Sequence, residues 1–140
     1  MPKVSQTEIQ NLIDTQPFLH IYGLRVTELT AGTCTLRVPF NPAFERPGGY
    51  VSGPLFMAAA DAAMWFAILT YLPNAQMSVT TDLTTAFLKS AREEDFFCKA
   101  SIVKLGQRII YGTAECFNEE GQLLTHHTIS YVRREEDDVA

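Results

Sequence analysis

The chain has 140 residues, of which 46% are hydrophobic and 19% charged, with a formal net charge of −5. This is globular rather than disordered composition, and the length fits one domain whose core needs neither disulfides nor a metal to form. The acidic balance excludes a broad basic face for nucleic acid and leaves room only for a small basic patch.

The first residues, Met1 to Gln6, contain no secretory apolar segment. Ser5-Gln6-Thr7-Glu8 is a capping-box pattern, and Ile9, Leu12 and Ile13 follow at helical spacing, so a short helix is predicted over 5–16, ending before Pro17. An apolar link (Phe18, Leu19, Ile21, Tyr22) leads to two strands, 24–29 and 34–40, joined by a turn at Ala31-Gly32. In the second strand Cys34, Leu36, Val38 and Phe40 share one face. Residues 41–50 hold two prolines and two adjacent glycines and read as a loop.

A helix is predicted over 53–72, rich in Ala, Met and Leu and apolar nearly all round, as a core helix is. Its apolar stretch, Pro54 to Leu69, is shorter than a bilayer span and carries Asp61 in its middle, so no membrane span is expected. The rest reads as strands over 77–88, 95–105, 108–117 and 122–132. In the first of these, alternation puts Val79, Leu83 and Phe87 on one face and Thr80, Asp82 and Thr84 on the other. The last three, with short connections, form an antiparallel meander. Residues 1–133 are expected to be a single α+β domain, with 134–140 as an acidic, flexible tail. The economical arrangement is a long antiparallel sheet wrapped around the central apolar helix, which is the hotdog fold.

Three cysteines (Cys34, Cys98 and Cys116) lie far apart with no CxxC pairing and are read as reduced thiols of a soluble, cytoplasmic protein. His126 and His127 are adjacent in a strand and point to opposite faces, and His20 stands alone, so no metal site is expected. No Gly-rich phosphate loop and no GxSxG elbow occurs.

Two features carry chemistry. Pro54 suits the first turn of the central helix, with Ser52 or Gly53 as its cap, and the N–H groups of Gly53 and Leu55 there sit at the positive end of the helix dipole. They can polarise a carbonyl, or simply begin a helix. Asp61 is a carboxylate in an apolar helix, costly to bury unless paired and suited by burial to general-base work, or else held across a subunit contact for structural reasons. Eight residues of helix separate Gly53 from Asp61, about 12 Å. One chain therefore places them poorly for a shared carbonyl, and two copies of the chain would do so at a homodimer interface. Thr80 could orient a water. Lys89, Arg92, Lys104 and Arg108 fall near strand ends and could gather at one rim to meet phosphates.

The ordered set of motifs resembles the PaaI-like branch of the hotdog-fold acyl-CoA thioesterases, from about Gly23 to Tyr131. The motifs are Val51-Ser52-Gly53-Pro54, Asp61 nine positions after Ser52, Val79-Thr80-Thr81-Asp82-Leu83 running into Phe87-Leu88, Gly106-Gln107-Arg108, and Glu120-Gly121-Gln122-Leu123. The resemblance implies a homodimer, or a dimer of dimers, that splits an acyl thioester of coenzyme A. It implies that Gly53 N–H polarises the carbonyl, that Asp61 of the facing subunit is base or nucleophile, and that Thr80 positions the water or the carboxylate. Met57 and Trp65 would line the acyl pocket, basic residues would meet the coenzyme A phosphates, and no cofactor beyond coenzyme A itself is implied. The chain departs from the family where Ser52 replaces a histidine, Pro54 a glycine, and Arg46 an asparagine. Arg46 could bind a carboxylate or phosphate. The alternative function is a non-catalytic acyl-CoA or lipid-binding protein on the same fold.

Overall fold

Ser5 opens the first helix as its sequence pattern requires. Its Oγ accepts the Glu8 N–H at 3.0 Å while Glu8 Oε1 accepts the Ser5 N–H at 3.1 Å. In the computed structural model, which describes residues 1–136, this helix is α1 (Gln6–Thr15). Pro17 then starts a single helical turn, α2 (Pro17–His20), where only an apolar link was predicted. Strands β1 (Arg25–Thr30) and β2 (Thr33–Val38) form the expected hairpin, turning at Gly32 with φ +84°. After a 3₁₀ turn at Pro42–Phe44, the minimal pair β3 (Glu45–Arg46) and β4 (Tyr50–Val51) closes the proline-glycine loop. The central helix is α3 (Gly53–Tyr71), followed by β5 (Val79–Phe87), β6 (Phe96–Leu105), β7 (Ile109–Phe117) and β8 (Leu123–Val132).

The six long strands make one antiparallel sheet in the order β1-β2-β6-β7-β8-β5. β6, β7 and β8 are the predicted meander. The chain crosses from β2 to the opposite edge through α3, places β5 there, and returns to the middle for β6. The sheet packs against α3, giving the hotdog fold. The helix is seated deeply: Met64 lies on Gly112 of β7, where an added Cβ would come within 2.2 Å of Met64 Cε and 2.6 Å of the Ser101 carbonyl. At 19 residues α3 is long and apolar enough to cross a bilayer, contrary to the shorter stretch counted in the sequence. Here its apolar surface is covered by the sheet, with 12 of its residues buried, which is how a core helix reaches that hydropathy.

The two edges of the sheet differ. Along β1, Gln10 accepts the Val26 N–H at 2.9 Å and donates to the Leu24 carbonyl at 3.1 Å, so α1 occupies that edge. Along β5 nearly every residue is exposed, with Val79 at 49% and Phe87 at 58%.

β5 also corrects the predicted alternation. A register shift between Thr80 and Asp82 inserts one extra residue, so that Thr80 pairs with Tyr131, Leu83 with Ile129, Thr85 with His127 and Phe87 with Thr125. Tyr131, Ile129 and His127 are buried on the helix side of β8. Thr80 therefore shares that side with Leu83 and Phe87 instead of facing away with Asp82 and Thr84. Of the tail predicted over 134–140, the Arg134 N–H donates to Ser78 Oγ at 2.9 Å and the Glu136 N–H to the Asn74 carbonyl at 2.9 Å. Residues 137–140 lie outside the described residues.

Candidate active site

Asp61 sits on the stripe of α3 that the chain's own sheet covers least. Met57, Ala58, Asp61 and Trp65, spaced one turn apart, are all half-buried, while the other faces of the helix are buried. Two hydroxyls hold the carboxylate. Thr80 Oγ1 donates to Asp61 Oδ1 at 2.6 Å, and Tyr131 OH donates to the same oxygen at 2.8 Å and to the Asp61 carbonyl at 3.0 Å. Burial, together with the Asp61 charge, pushes the Tyr131 hydroxyl far above its ordinary range and keeps it a donor. The carboxylate is thus paired, which answers its cost inside an apolar helix. Sequence reasoning missed Tyr131. The available signal was its position opposite Thr80, legible only once the register of β5 on β8 is known.

The start of α3 is built by the loop before it. Gly48 and Gly49, with φ of +93° and +80°, turn the chain in a conformation that disfavours other residues. The turn is fastened by hydrogen bonds from Val51 N–H to the Ala91 carbonyl, Ser52 N–H to the Phe44 carbonyl and Glu93 N–H to the Gly49 carbonyl, at 2.9, 3.2 and 2.9 Å. Ser52 is the N-cap, and its side chain makes no capping hydrogen bond. The Leu55 N–H is engaged by the Ser52 carbonyl at 3.1 Å, so the pair of donors read from the sequence reduces to Gly53. As the first helical residue, Gly53 has no acceptor for its N–H within the helix.

Gly53 opens on a cleft of about 550 Å³ lined by Arg46, Val51, Phe56, Phe87 and Lys89 among others. Phe87 lies directly over Gly53, since an added Cβ would meet its ring edge at 3.1 Å. The cleft therefore combines a helix N-terminus, two cations and an apolar wall. Asp61 is not among its lining residues.

The basic residues do not gather at one rim within a single chain. Arg46 and Lys89 reach the cleft. Arg92 stands beside it but is committed to the loop: its Nε donates to the Gly48 carbonyl at 2.8 Å and its guanidinium lies 5.9 Å from the Tyr50 ring centroid. Lys104 and Arg108 are at the far end of the sheet, beside Val79 rather than Phe87, because Ile109 and Val79 both pair with Val132. Met57 lies one turn past Gly53 on the half-covered stripe, and Trp65 donates its Nε1–H to the Gln76 carbonyl at 3.2 Å one turn beyond Asp61. Among the described residues no group of three or more His, Cys, Asp and Glu side chains is placed to hold a metal ion.

A family model described as the thioesterase superfamily matches residues 48–125, from the glycine loop through α3 into β8. Two curated proteins carrying the name "Putative esterase" are similar in sequence. One, from Halobacterium salinarum, is 30% identical over 112 residues, 76% of this chain and 72% of its own. The other, from Saccharolobus solfataricus, is 28% identical over 109 residues, 78% of this chain and 72% of its own. Among solved structures, a thioesterase from Haemophilus influenzae superposes with a TM-score of 0.87 at 16% identity, covering 99% of this chain and 96% of that one. Zebrafish thioesterase superfamily member 2 superposes with a TM-score of 0.84 at 17% identity, covering 94% and 99%. At these identities the two structures speak for the fold.

Proposed function

Since the chain belongs to the thioesterase superfamily, and the comparisons support hydrolysis of an ester or thioester, we propose that its substrate is an acyl-CoA and that its active site forms between two copies of the chain. The observation that carries the reading is the placement of the two candidate groups on β5. Thr80, near one end of the strand, touches Asp61, and Phe87, at the other end, covers Gly53. Antiparallel pairing of two β5 strands about a two-fold axis sets the Asp61 end of one copy against the Gly53 end of the other. The exposed, unpaired edge of β5 is the surface that such a contact covers, while the opposite edge is already occupied by α1. Each dimer then holds two sites.

In that site the Gly53 N–H donates to the thioester carbonyl, where the helix dipole favours the negative charge that develops on oxygen. Asp61 of the other copy, fixed by Thr80 and Tyr131, either takes a proton from a water that attacks the carbonyl carbon or attacks that carbon itself. In the first route the new C–O bond forms as the C–S bond breaks, and the proton returns through Asp61 to the coenzyme A thiolate. In the second the bond from Asp61 to the acyl carbon forms as the C–S bond breaks, and a water then cleaves the resulting anhydride, freeing the acid, regenerating the carboxylate and giving its proton to the thiolate. Arg46 and Lys89 of the cleft meet the phosphates, joined by Lys104 and Arg108 of the other copy, whose end of the sheet the same two-fold brings near. Met57 and Trp65, flanking Asp61, border the acyl group.

The test is thiol release from short, long and aromatic acyl-CoAs by the wild type and by Asp61→Asn, with coenzyme A binding followed in the same samples. Turnover that disappears in the variant supports the reading. Binding without turnover across the panel favours a non-catalytic acyl-CoA-binding protein, a second reading supported by Ser52, which puts no imidazole beside Gly53.

A further inference from the structure

The core contains a second cluster of reactive side chains that the hydrolytic reading does not use. Cys98 on β6 and Cys116 on β7 are register partners, both completely buried and both on the side of the sheet that faces α3. Directly opposed residues of an antiparallel pair have Cα atoms about 4.5–5.5 Å apart, inside the range of about 4.4–6.8 Å that a disulfide spans. Cys34, the third thiol, pairs with Ala100 and so lies diagonal to Cys98, about 7–8 Å away by ordinary sheet spacing.

Beside this pair sits His127 of β8, completely buried. Its Nε2 lies 3.8 Å from Cys116 Sγ and 2.8 Å from Thr125 Oγ1, and its Nδ1 lies 2.8 Å from Thr85 Oγ1. The two thiols of the pair are unequal. Burial acts to raise the Cys116 thiol, but hydrogen bonds with Cys98, His127 and Thr125 outweigh it and lower its pKa. Cys98 is pushed up by its contact with Cys116 and by burial. Burial alone raises Cys34. The chain thus holds two thiols directly across from one another and an imidazole within reach of one of them.

We propose that Cys98 and Cys116 are a redox pair that closes to a cross-strand disulfide on exposure to a hydroperoxide, with His127 accepting the Cys116 proton. The Cys116 thiolate attacks a peroxide oxygen, the O–O bond breaks, and the departing hydroxide takes up the proton as water (or as an alcohol from an alkyl hydroperoxide). Cys98 then attacks the sulfenic sulfur of Cys116. The S–S bond forms, and the hydroxyl leaves as water with the Cys98 proton. The two cysteines lose two electrons and the peroxide gains them. The bridge ties β6 to β7 beneath α3, two residues along β7 from Ala114 and four from the Gly112–Met64 contact.

The experiment uses the reduced full-length chain and hydrogen peroxide, and its readout involves no substrate, so its outcome is independent of the hydrolytic reading. After exposure and removal of the peroxide, thiols are alkylated in denaturant and the intact mass and peptide map are read. The expected product carries one alkyl group, on Cys34, and a Cys98–Cys116 peptide that dithiothreitol separates. Cys34→Ala retains the bridge and Cys98→Ala loses it. Three alkylated cysteines, at a peroxide concentration that oxidises the same chain in urea, overturn the proposal. So does a bridge through Cys34, or oxidation of Cys116 that proceeds to the sulfonic acid without involving Cys98.

Discussion

Thr80 Oγ1 donates to Asp61 Oδ1 across 2.6 Å, and Tyr131, the register partner of Thr80, donates to the same oxygen from the neighbouring strand. Two strands thus converge on one oxygen of a helical carboxylate, and both hydrogen bonds fall on Oδ1. A carboxylate held this way has a fixed orientation toward whatever covers the half-exposed stripe of α3. That relationship makes Asp61 the centre of the proposed site, and the first predictions concern it.

Asp61→Asn keeps the shape of the side chain and removes its ability to take a proton or attack. Hydrolysis of any acyl-CoA that the wild type accepts should fall by about 10²–10⁴-fold, with the folded state retained by circular dichroism. Turnover within a factor of two of the wild type would sink the mechanism.

Tyr131→Phe removes one of the two hydroxyls on Asp61 and leaves the ring. The Asp61 carbonyl also loses a donor. We expect a stability loss of about 1.5–3 kcal/mol in urea unfolding, as for a hydrogen bond to a charged group. The rate constant kcat should drop while KM changes little, because the residue positions Asp61 rather than touching substrate. A variant altered only in KM would place Tyr131 in the binding surface instead.

The proposed intersubunit site makes a complementation test decisive. Gly53→Pro deletes the N–H donor and Asp61→Asn the carboxylate, so each homodimer should be inactive. Co-expressed and randomly mixed, half of the dimers are mixed and each carries one intact site, restoring about a quarter of wild-type activity. If both variants fold and the mixture stays inactive, Gly53 and Asp61 do not act across a shared interface.

Gly112→Ala tests the seating of the helix. The added methyl collides with Met64 Cε and with the backbone carbonyl of Ser101. Overpacking of this kind costs about 3 kcal/mol, and the backbone contact has no flexible end to move aside. Met64→Ala in the same chain should recover only part of the loss, because the Ser101 carbonyl remains. Full recovery in thermal melts would mean that the side chain alone sets the fit.

Asp95 predicts the acid limb of stability. The Phe40 N–H donates to its carboxylate at 2.8 Å and Arg37 at 2.6 Å, and these bonds hold its pKa below the ordinary value. A carboxylate depressed in the folded state contributes stability above its unfolded pKa, about 3.9, and loses that contribution as pH falls through the folded value. Asp95→Asn should therefore melt lower than the wild type at neutral pH, with the gap closing below about pH 4. A gap that is constant with pH would mean the charge contributes nothing.

The sequence by itself determined the types and order of α1, α3 and the six long strands, because each rests on a local signal. The capping box begins α1, proline and paired glycines mark the loop before α3, and Ala-rich apolar composition makes the helix that the sheet must cover. It also singled out Asp61 and Gly53 as candidates, since a carboxylate amid alanines and a helix start marked by glycine and proline are visible without coordinates. Tertiary structure alone decided which groups meet Asp61. One extra residue between Thr80 and Asp82 reverses the face of Thr80, and period-two alternation carries no trace of a bulge. Tyr131 lies 70 residues from Asp61 and reaches it only through the pairing of β8 with β5. The basic residues likewise divide between two ends of the sheet, because strand order, set by long-range pairing, separates Lys104 and Arg108 from Arg46 and Lys89. Local chemistry is written in neighbouring residues, whereas register and sheet order follow from burying the whole apolar surface at once.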